Sequence, residues 1–295
     1  MATLTRHDRI ARLVSLLMWG MCTLATAVIL SVLLLVVGYL AYLGANALLP
    51  WEKLVTFFTE VPTADPKNPG GMKHAVVGTL MLLAMASAVG VPLGMLAGIY
   101  LAEYSENSRL AAPVRFVADV LAGVPSIVVG ILGYELVVVP MSRLVNVQYS
   151  GIAGSLALAF IMIPIVARTT EEMLRLVPGS YREASIALGA TKARTILWVV
   201  IPSATGSVVT GVMLAMARVA GETAPLLFTA GMSRLLTYDP TQPFPALTTQ
   251  IYRFVSGPYP AERELGYAGI LVLIVLIFCI NLLIRYVTRK SRPMG

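Results

Sequence analysis

Long stretches without a charged side chain recur at intervals along the chain. No Asp, Glu, Lys or Arg occurs in five of them, at 13–51, 74–102, 144–167, 195–217 and 265–284. A transmembrane helix needs about 20 consecutive apolar residues, and each stretch meets this length. A sixth stretch is interrupted only by Glu135. The pattern predicts an all-α, polytopic membrane protein with a single transmembrane domain over residues 1–295 and spans at about 14–44, 75–101, 118–141, 150–168, 202–230 and 265–286.

Composition and charge support a membrane location. Only 13% of the residues are charged, against about 25% in soluble domains. Basic residues concentrate in the segments that an inside N-terminus places in the cytoplasm, so the positive-inside rule predicts that both termini are cytoplasmic. The formal charge of +7 then follows from topology and does not indicate nucleic-acid binding. Cys22 and Cys279 both fall inside spans, without metal-ligand spacing, and we expect neither a disulfide nor a metal site.

Two polar connections are long. The first, at about 45–73, is rich in Pro and Gly and is predicted to be irregular. The second, at 231–266, encloses a stretch at 246–255 that is compatible with a helix.

The connection between the fourth and fifth spans, residues 171–201, carries helix start and stop signals. Ser180 and Glu183 fit a capping box, which predicts a short helix beginning at Tyr181. Gly189 can end it in a left-handed conformation, and Thr191 can cap a second helix that runs up to Pro202. The spacing therefore predicts a short helix lying across the cytoplasmic face of the membrane.

The same connection resembles the EAA loop of ABC importer permeases. The matching residues are Glu183-Ala184-Ser185, Gly189-Ala190 and Val199-Val200-Ile201-Pro202, with Ser185 in place of the second alanine. The resemblance implies a type I ABC importer permease (MetI-like) fold whose short helix inserts into a groove on an ATPase subunit. Glu183, Ala184, Gly189 and Ala190 would be the coupling residues.

No GxxxxGK[ST] phosphate loop occurs in the sequence. We therefore expect ATP and Mg to be bound by a partner ATPase, with no cofactor in this chain and no enzymatic activity of its own.

Arg218 and Glu222 are charged residues inside the predicted fifth span. An arginine at mid-bilayer costs about 2.5–3.5 kcal/mol on insertion scales, and an i,i+4 pair returns only about 0.2–0.5 kcal/mol. A guanidinium offers bidentate donors that suit oxyanions, so the pair is a candidate anion site. A neutralised pair at a helix interface is the alternative. Thr223 offers a neighbouring hydroxyl, although such a group often bonds its own backbone.

Two further segments extend the resemblance to a phosphate-specific, PstA-type branch of these permeases. They are Arg218-Val219-Ala220-Gly221-Glu222-Thr223-Ala224-Pro225-Leu226 and Val124-Pro125-Ser126-Ile127-Val128-Val129-Gly130. The resemblance implies phosphate import by alternating access across the bacterial cytoplasmic membrane. The implied partners are a PstC-type permease, two PstB-type ATPases and a PstS-type phosphate-binding protein. Arg168 matches a second basic position on the phosphate path, although positive-inside topology explains it equally.

Other interpretations remain open from the sequence. A permease of the same fold for sulfate or molybdate would also account for Arg218 and the coupling loop. An ion-coupled carrier or channel would use Arg218 and Glu222 as a relay. A structural membrane subunit would use the pair only to hold an interface. Glu135 is assigned to no site.

Overall fold

The computed structural model describes residues 6–105, 109–145 and 147–290 of the chain. Residues 1–5 and 291–295, to which the predicted cytoplasmic location of the termini refers, lie outside the described residues. The helices are α1 Arg6–Leu48, α2 Trp51–Thr59, α3 Lys73–Glu103, α4 Ala111–Gly123, α5 Ser126–Gly133, α6 Val139–Val145, α7 Gly151–Arg175, α8 Gly179–Ala187, α9 Lys192–Thr195, α10 Ile201–Ala220, α11 Ala224–Thr229, α12 Leu247–Val255 and α13 Pro260–Lys290.

Within the described residues, six helical segments are long and apolar enough to cross a membrane. The segments are Val14–Leu48, Lys73–Glu103, Ser126–Arg143, Gly151–Arg175, Lys192–Ala220 and Pro260–Tyr286. The predicted all-α architecture is confirmed. Helix α7 runs further than its charge-free stretch, and Arg168 and Glu171 in the added part form ion pairs with α4.

The centre of the bundle is the packing of α3 against α7. Gly90, Gly94 and Gly98 recur every four residues on α3 and face α7. A Cβ added at Gly94 would lie 2.7 Å from the Cβ of Val166. The small residues therefore let the two helices approach closely, as is common between membrane helices.

Helix α1 lies at the periphery. It packs against α13 near Gly44, where an added Cβ would lie 2.6 Å from the Cβ of Leu271. The side chains of residues 14–39 are exposed in the isolated chain. Lipid or another membrane subunit must cover this apolar surface.

The predicted third span is interrupted at Pro125. Helix α4 ends at Gly123, Val124 is extended with φ −67° and ψ 130°, and α5 begins at Ser126. Proline has no N–H to donate and disfavours the helical conformation of the residue before it. The helical segment that is long and apolar enough to cross a membrane therefore begins at Ser126, and not near residue 118 as predicted.

The predicted fifth span is interrupted in the same way. Helix α10 ends at Ala220, and α11 begins only at Ala224. A continuous helix would press the ring of Pro225 against the carbonyl of Gly221, four residues earlier. The prediction of one span over residues 202–230 is therefore wrong.

Pro140 and Pro202 each follow a π-helical turn within a helix that continues past the proline. A π-helical turn at Tyr134–Val138 precedes Pro140, and a second one at Ile196–Val200 precedes Pro202. In each turn the next N–H bonds a carbonyl five residues earlier, from Val139 to Tyr134 and from Ile201 to Ile196. Each proline has no N–H to donate and its ring crowds the preceding turn, and the wider π-helical turn accommodates both effects.

The predictions for the polar connections are confirmed in some places and wrong in others. Helix α2 occupies part of the connection that was predicted to be irregular. The helix predicted at 246–255 is confirmed as α12. The predicted capping box is wrong: α8 begins at Gly179 after Pro178, without a side-chain cap. The fixed φ of Pro178 starts the helix early and leaves Ser180 inside its first turn.

Candidate functional site

The two segments that resemble the phosphate-permease signatures meet in space. Helix α5 packs along α11, and a Cβ added at Gly130 would lie 2.8 Å from the Cα of Pro225. Each segment contains the non-helical backbone of a helix break, between α4 and α5 and between α10 and α11. In a membrane, such backbone is tolerated where protein or a polar cavity surrounds it.

Arg218 and Glu222 approach each other across the end of α10. The Nε of Arg218 lies 4.0 Å from the Oε1 of Glu222, and the two side chains are 59% and 15% exposed. The helix ends between them, and the N–H of Gly221 donates to the carbonyl of Arg218. The pair predicted from the sequence forms, but it is long, and it leaves the guanidinium open on one side.

The backbone around this pair is held by α12. The hydroxyl of Thr248 donates to the carbonyl of Glu222 at 2.9 Å. Thr223 precedes α11 as its N-cap residue, but its side chain accepts no capping hydrogen bond. Helix α12 is distant in the sequence, and nothing in the local pattern marked Thr248 as a support of the site.

Arg168 has a carboxylate partner that sequence analysis missed. Its Nη2 forms an ion pair with Asp119 on α4, and the two side chains are 44% and 41% exposed. The structure extends α7 to Arg175. Arg168 therefore lies about two helical turns before the end of the helix, and not at its end.

A second ion pair lies beside the first. Glu171 on α7 accepts from Arg115 on α4 at 2.8 Å and from Arg175 at 2.9 Å, and only 7% of its side chain is exposed. Arg115 and Asp119 are four residues apart on α4, the spacing that places side chains on one helix face. This spacing was the available signal for the missed contacts, but it did not identify the facing helix.

The predicted coupling loop forms a short projecting helix. Gly189 has φ +85° and ends α8, in agreement with the predicted left-handed conformation. The Thr191 hydroxyl accepts from the N–H of Arg194 at 3.4 Å and caps α9, as predicted. Glu183, Ala184 and Gly189 are exposed, whereas Ala190 is half-buried.

The free surface of this loop includes apolar side chains. Leu188 is 90% exposed, Ile186 is 55% exposed and Tyr181 is 54% exposed. Exposed apolar groups beside a charged residue such as Glu183 are typical of a protein-binding surface.

Arg182 attaches α8 to the rest of the bundle and was not predicted to have a role. Its Nη2 donates to Glu103 at 2.5 Å and to the carbonyl of Leu174 at 2.9 Å, and its Nη1 donates to the carbonyl of Val177 at 2.7 Å. It therefore joins the ends of α3 and α7 to the loop. Ser185, where the loop departs from the EAA pattern, shares a hydrogen bond of 2.9 Å with Thr195.

Other candidate groups lie apart from these sites. Glu135 is exposed on the first π-helical turn. Cys22 and Cys279 are exposed on α1 and α13. Among the described residues, no group of three or more His, Cys, Asp or Glu side chains is arranged to hold a metal ion.

Comparison with known proteins finds relatives that are all described as membrane components of transport systems. The model of the family described as "Binding-protein-dependent transport system inner membrane component" matches residues 90–293. The "Phosphate transport system permease protein PstA" of Yersinia pestis is 41% identical over 81% of this chain and 79% of its own length. The "Probable phosphate transport system permease protein PstA" of Methanocaldococcus jannaschii is 38% identical over 81% and 82%.

Solved structures share the fold at low sequence identity. A bacterial ABC transporter involved in the import of alginate matches with a TM-score of 0.66 at 14% identity, covering 93% of this chain and 96% of the other. An inward-facing MetNI methionine ABC transporter matches with a TM-score of 0.59 at 20% identity, covering 77% and 99%. At these identities the likeness concerns the fold alone.

Proposed function

The chain belongs to the binding-protein-dependent inner membrane transport components, and within them to the PstA-type permeases. On this premise we propose that it is a permease subunit of an ATP-driven importer of inorganic phosphate. It has the predicted type I ABC importer permease fold and is a multi-pass inner membrane protein. In this proposal it translocates phosphate by alternating access and carries out no covalent chemistry.

Arg218 is the main phosphate contact in this proposal. The observation that carries it is the 59% exposed side chain of Arg218, which lies at the break between α10 and α11. A charge in this position is costly in a membrane and is typical of a substrate pathway. A doubly charged phosphate competes well for a guanidinium whose carboxylate partner lies at 4.0 Å, because bidentate guanidinium–phosphate contacts are short and strong. Glu222 holds Arg218 between transport events.

Arg168 and Thr223 are the further pathway residues of the proposal. Arg168 is 44% exposed and paired with a single carboxylate, so water and small ions reach it. The hydroxyl of Thr223 has no capping role and remains next to the Arg218 pair, where it can donate to a phosphate oxygen.

The loop around α8 is the proposed contact with the motor. Its exposed Glu183, Ala184 and Gly189 would enter a groove on a PstB-type ATPase subunit, and Ala190 would position the turn. The complete importer would contain two such ATPases, a PstC-type permease and a PstS-type phosphate-binding protein. ATP and Mg would be bound by the ATPases. In this proposal α8 and both chain termini would lie in the cytoplasm.

ATP-dependent uptake of radiolabelled phosphate tests the pathway. Vesicles containing the complete importer are compared with the native chain and with Arg218→Ala at equal membrane expression. Uptake is expected to fall at least tenfold while the complex still assembles. Arg143→Ala is the matched control, because Arg143 is exposed at the end of α6, away from the helix breaks. Unchanged uptake by Arg218→Ala would refute the role of Arg218, and inhibition by excess sulfate or molybdate would favour another oxyanion as substrate.

A further inference from the structure

Helix α4 presents two charges of opposite sign to α7. Arg115 contacts Glu171 and Asp119 contacts Arg168. Since the residue numbers rise on one helix as they fall on the other, α4 and α7 run antiparallel. The two ion pairs therefore lie about one helical turn apart along the same interface.

The two ion pairs differ in how they are enclosed. Glu171 is 7% exposed and has two arginine partners. Asp119 and Arg168 are 41% and 44% exposed and have only each other as ion-pair partners among the described residues. A buried, doubly neutralised carboxylate is a fixed structural element. An exposed pair is weak and can exchange its partner for a dissolved ion.

Arg168 lies closer to the α8 end of the bundle than Arg218 does. An ion that leaves Arg218 toward that end would therefore meet Arg168 next. Helix α10 runs antiparallel to α7, since Val219 and Leu158 line one small cavity while Gly211 lies beside Thr169. Arg218 is thus level with residues 159 to 162 of α7. About six to nine residues separate this level from Arg168, which corresponds to about 9–14 Å toward the α8 end.

We propose that Asp119 is the counter-ion that releases phosphate from Arg168, an inference that rests on the proposed function. Phosphate arriving from Arg218 displaces the Asp119 carboxylate from the guanidinium. The freed carboxylate then repels the phosphate anion at short range, and its return to Arg168 completes the release toward the α8 side. Asp119 is a positioning residue in this scheme, because it acts on the substrate through Arg168.

The test is Asp119→Asn in the complete importer, with the initial rate of phosphate uptake measured over a range of phosphate concentrations. Without the competing carboxylate, phosphate is held more tightly and leaves more slowly. We expect KM to fall about two- to fivefold, the range that corresponds to an exposed ion pair, and kcat to fall as well. Asp119→Glu restores the carboxylate and should recover both constants at least in part.

Glu171→Gln is the matched control. It removes a carboxylate from the same interface, but from the enclosed pair, so it should reduce the amount of assembled complex and leave KM unchanged. The same pattern from Asp119→Asn would show a merely structural role and overturn the inference. Asp119→Ser serves as a second variant, and failure of both variants to assemble would overturn it too.

The inference and the proposed function fail separately. Loss of uptake in Arg218→Ala together with unchanged KM and kcat in Asp119→Asn would refute the release role alone. Unchanged uptake in Arg218→Ala would refute the proposed pathway itself. A higher KM in Asp119→Asn would contradict competition between the carboxylate and phosphate.

Discussion

Truncation of Arg182 should separate ATP hydrolysis from transport. The Arg182 guanidinium is the clamp between α8 and the ends of α3 and α7, through Glu103 and two backbone carbonyls. If α8 transmits the motion of an ATPase, the force passes through this clamp. Arg182→Ala leaves the exposed surface of α8 intact and removes only its attachment.

The free-energy cost of Arg182→Ala follows from the burial of Arg182 and Glu103. Removing one member of a buried ion pair costs about 3–5 kcal/mol. The Glu103 side chain is 6% exposed, but 24% of the Arg182 side chain is exposed, so water can partly replace the lost donors. We therefore expect about 2–3 kcal/mol, which corresponds to a shift of about 30- to 150-fold in the attachment equilibrium of α8.

The assay measures ATP hydrolysis and phosphate uptake in the same proteoliposomes. For Arg182→Ala, the number of phosphate ions taken up per ATP should fall at least tenfold, while ATP hydrolysis continues. Arg109→Ala is the control, because it removes an exposed charge just before the start of α4. An unchanged ratio of phosphate to ATP in well-assembled Arg182→Ala complexes would refute the role of the clamp.

The remaining predictions concern three glycines. Gly130→Ala would place a Cβ 2.8 Å from the Cα of Pro225, and overpacking of this kind costs about 1–3 kcal/mol; a lower thermal unfolding temperature of the purified complex would show it. Gly123→Ala, where nothing lies within 4 Å of the added Cβ, should leave that temperature unchanged, and equal effects of the two substitutions would contradict the packing argument. Gly189→Ala meets no steric neighbour but forces φ +85° on a residue with a Cβ, at a cost of about 1–2 kcal/mol. Uptake should fall severalfold with normal assembly, and full activity would show that the left-handed turn is dispensable.

The helix breaks show how far the pattern of apolar residues can be taken. Pro125 and Pro225 are visible in the sequence, yet the predicted spans ran across both. Pro92 and Pro164 lie inside continuous helices, so a proline alone does not decide between a kink and a break. The outcome depends on whether neighbouring segments can pack against the freed backbone, and at Pro125 and Pro225 the two broken segments pack against each other.

The sequence by itself determined the number of membrane-crossing segments, the left-handed end of α8 and the cap at Thr191. It also predicted that Arg218 and Glu222 form a pair, which the structure shows at 4.0 Å. Each of these depends on local quantities, which are the transfer free energy of individual side chains, the conformational freedom of one glycine and hydrogen bonds within a few residues.

Only the tertiary structure decided which distant charges neutralise each other. Asp119 pairs with Arg168 on α7, and Arg182 reaches Glu103 at the end of α3. An isolated charged residue in a helix has the same local signature whatever its eventual partner. Its partner depends on which helix faces meet. In this protein, small residues let α3 and α7 pack closely, and this packing fixes the surfaces against which α4 and α8 lie.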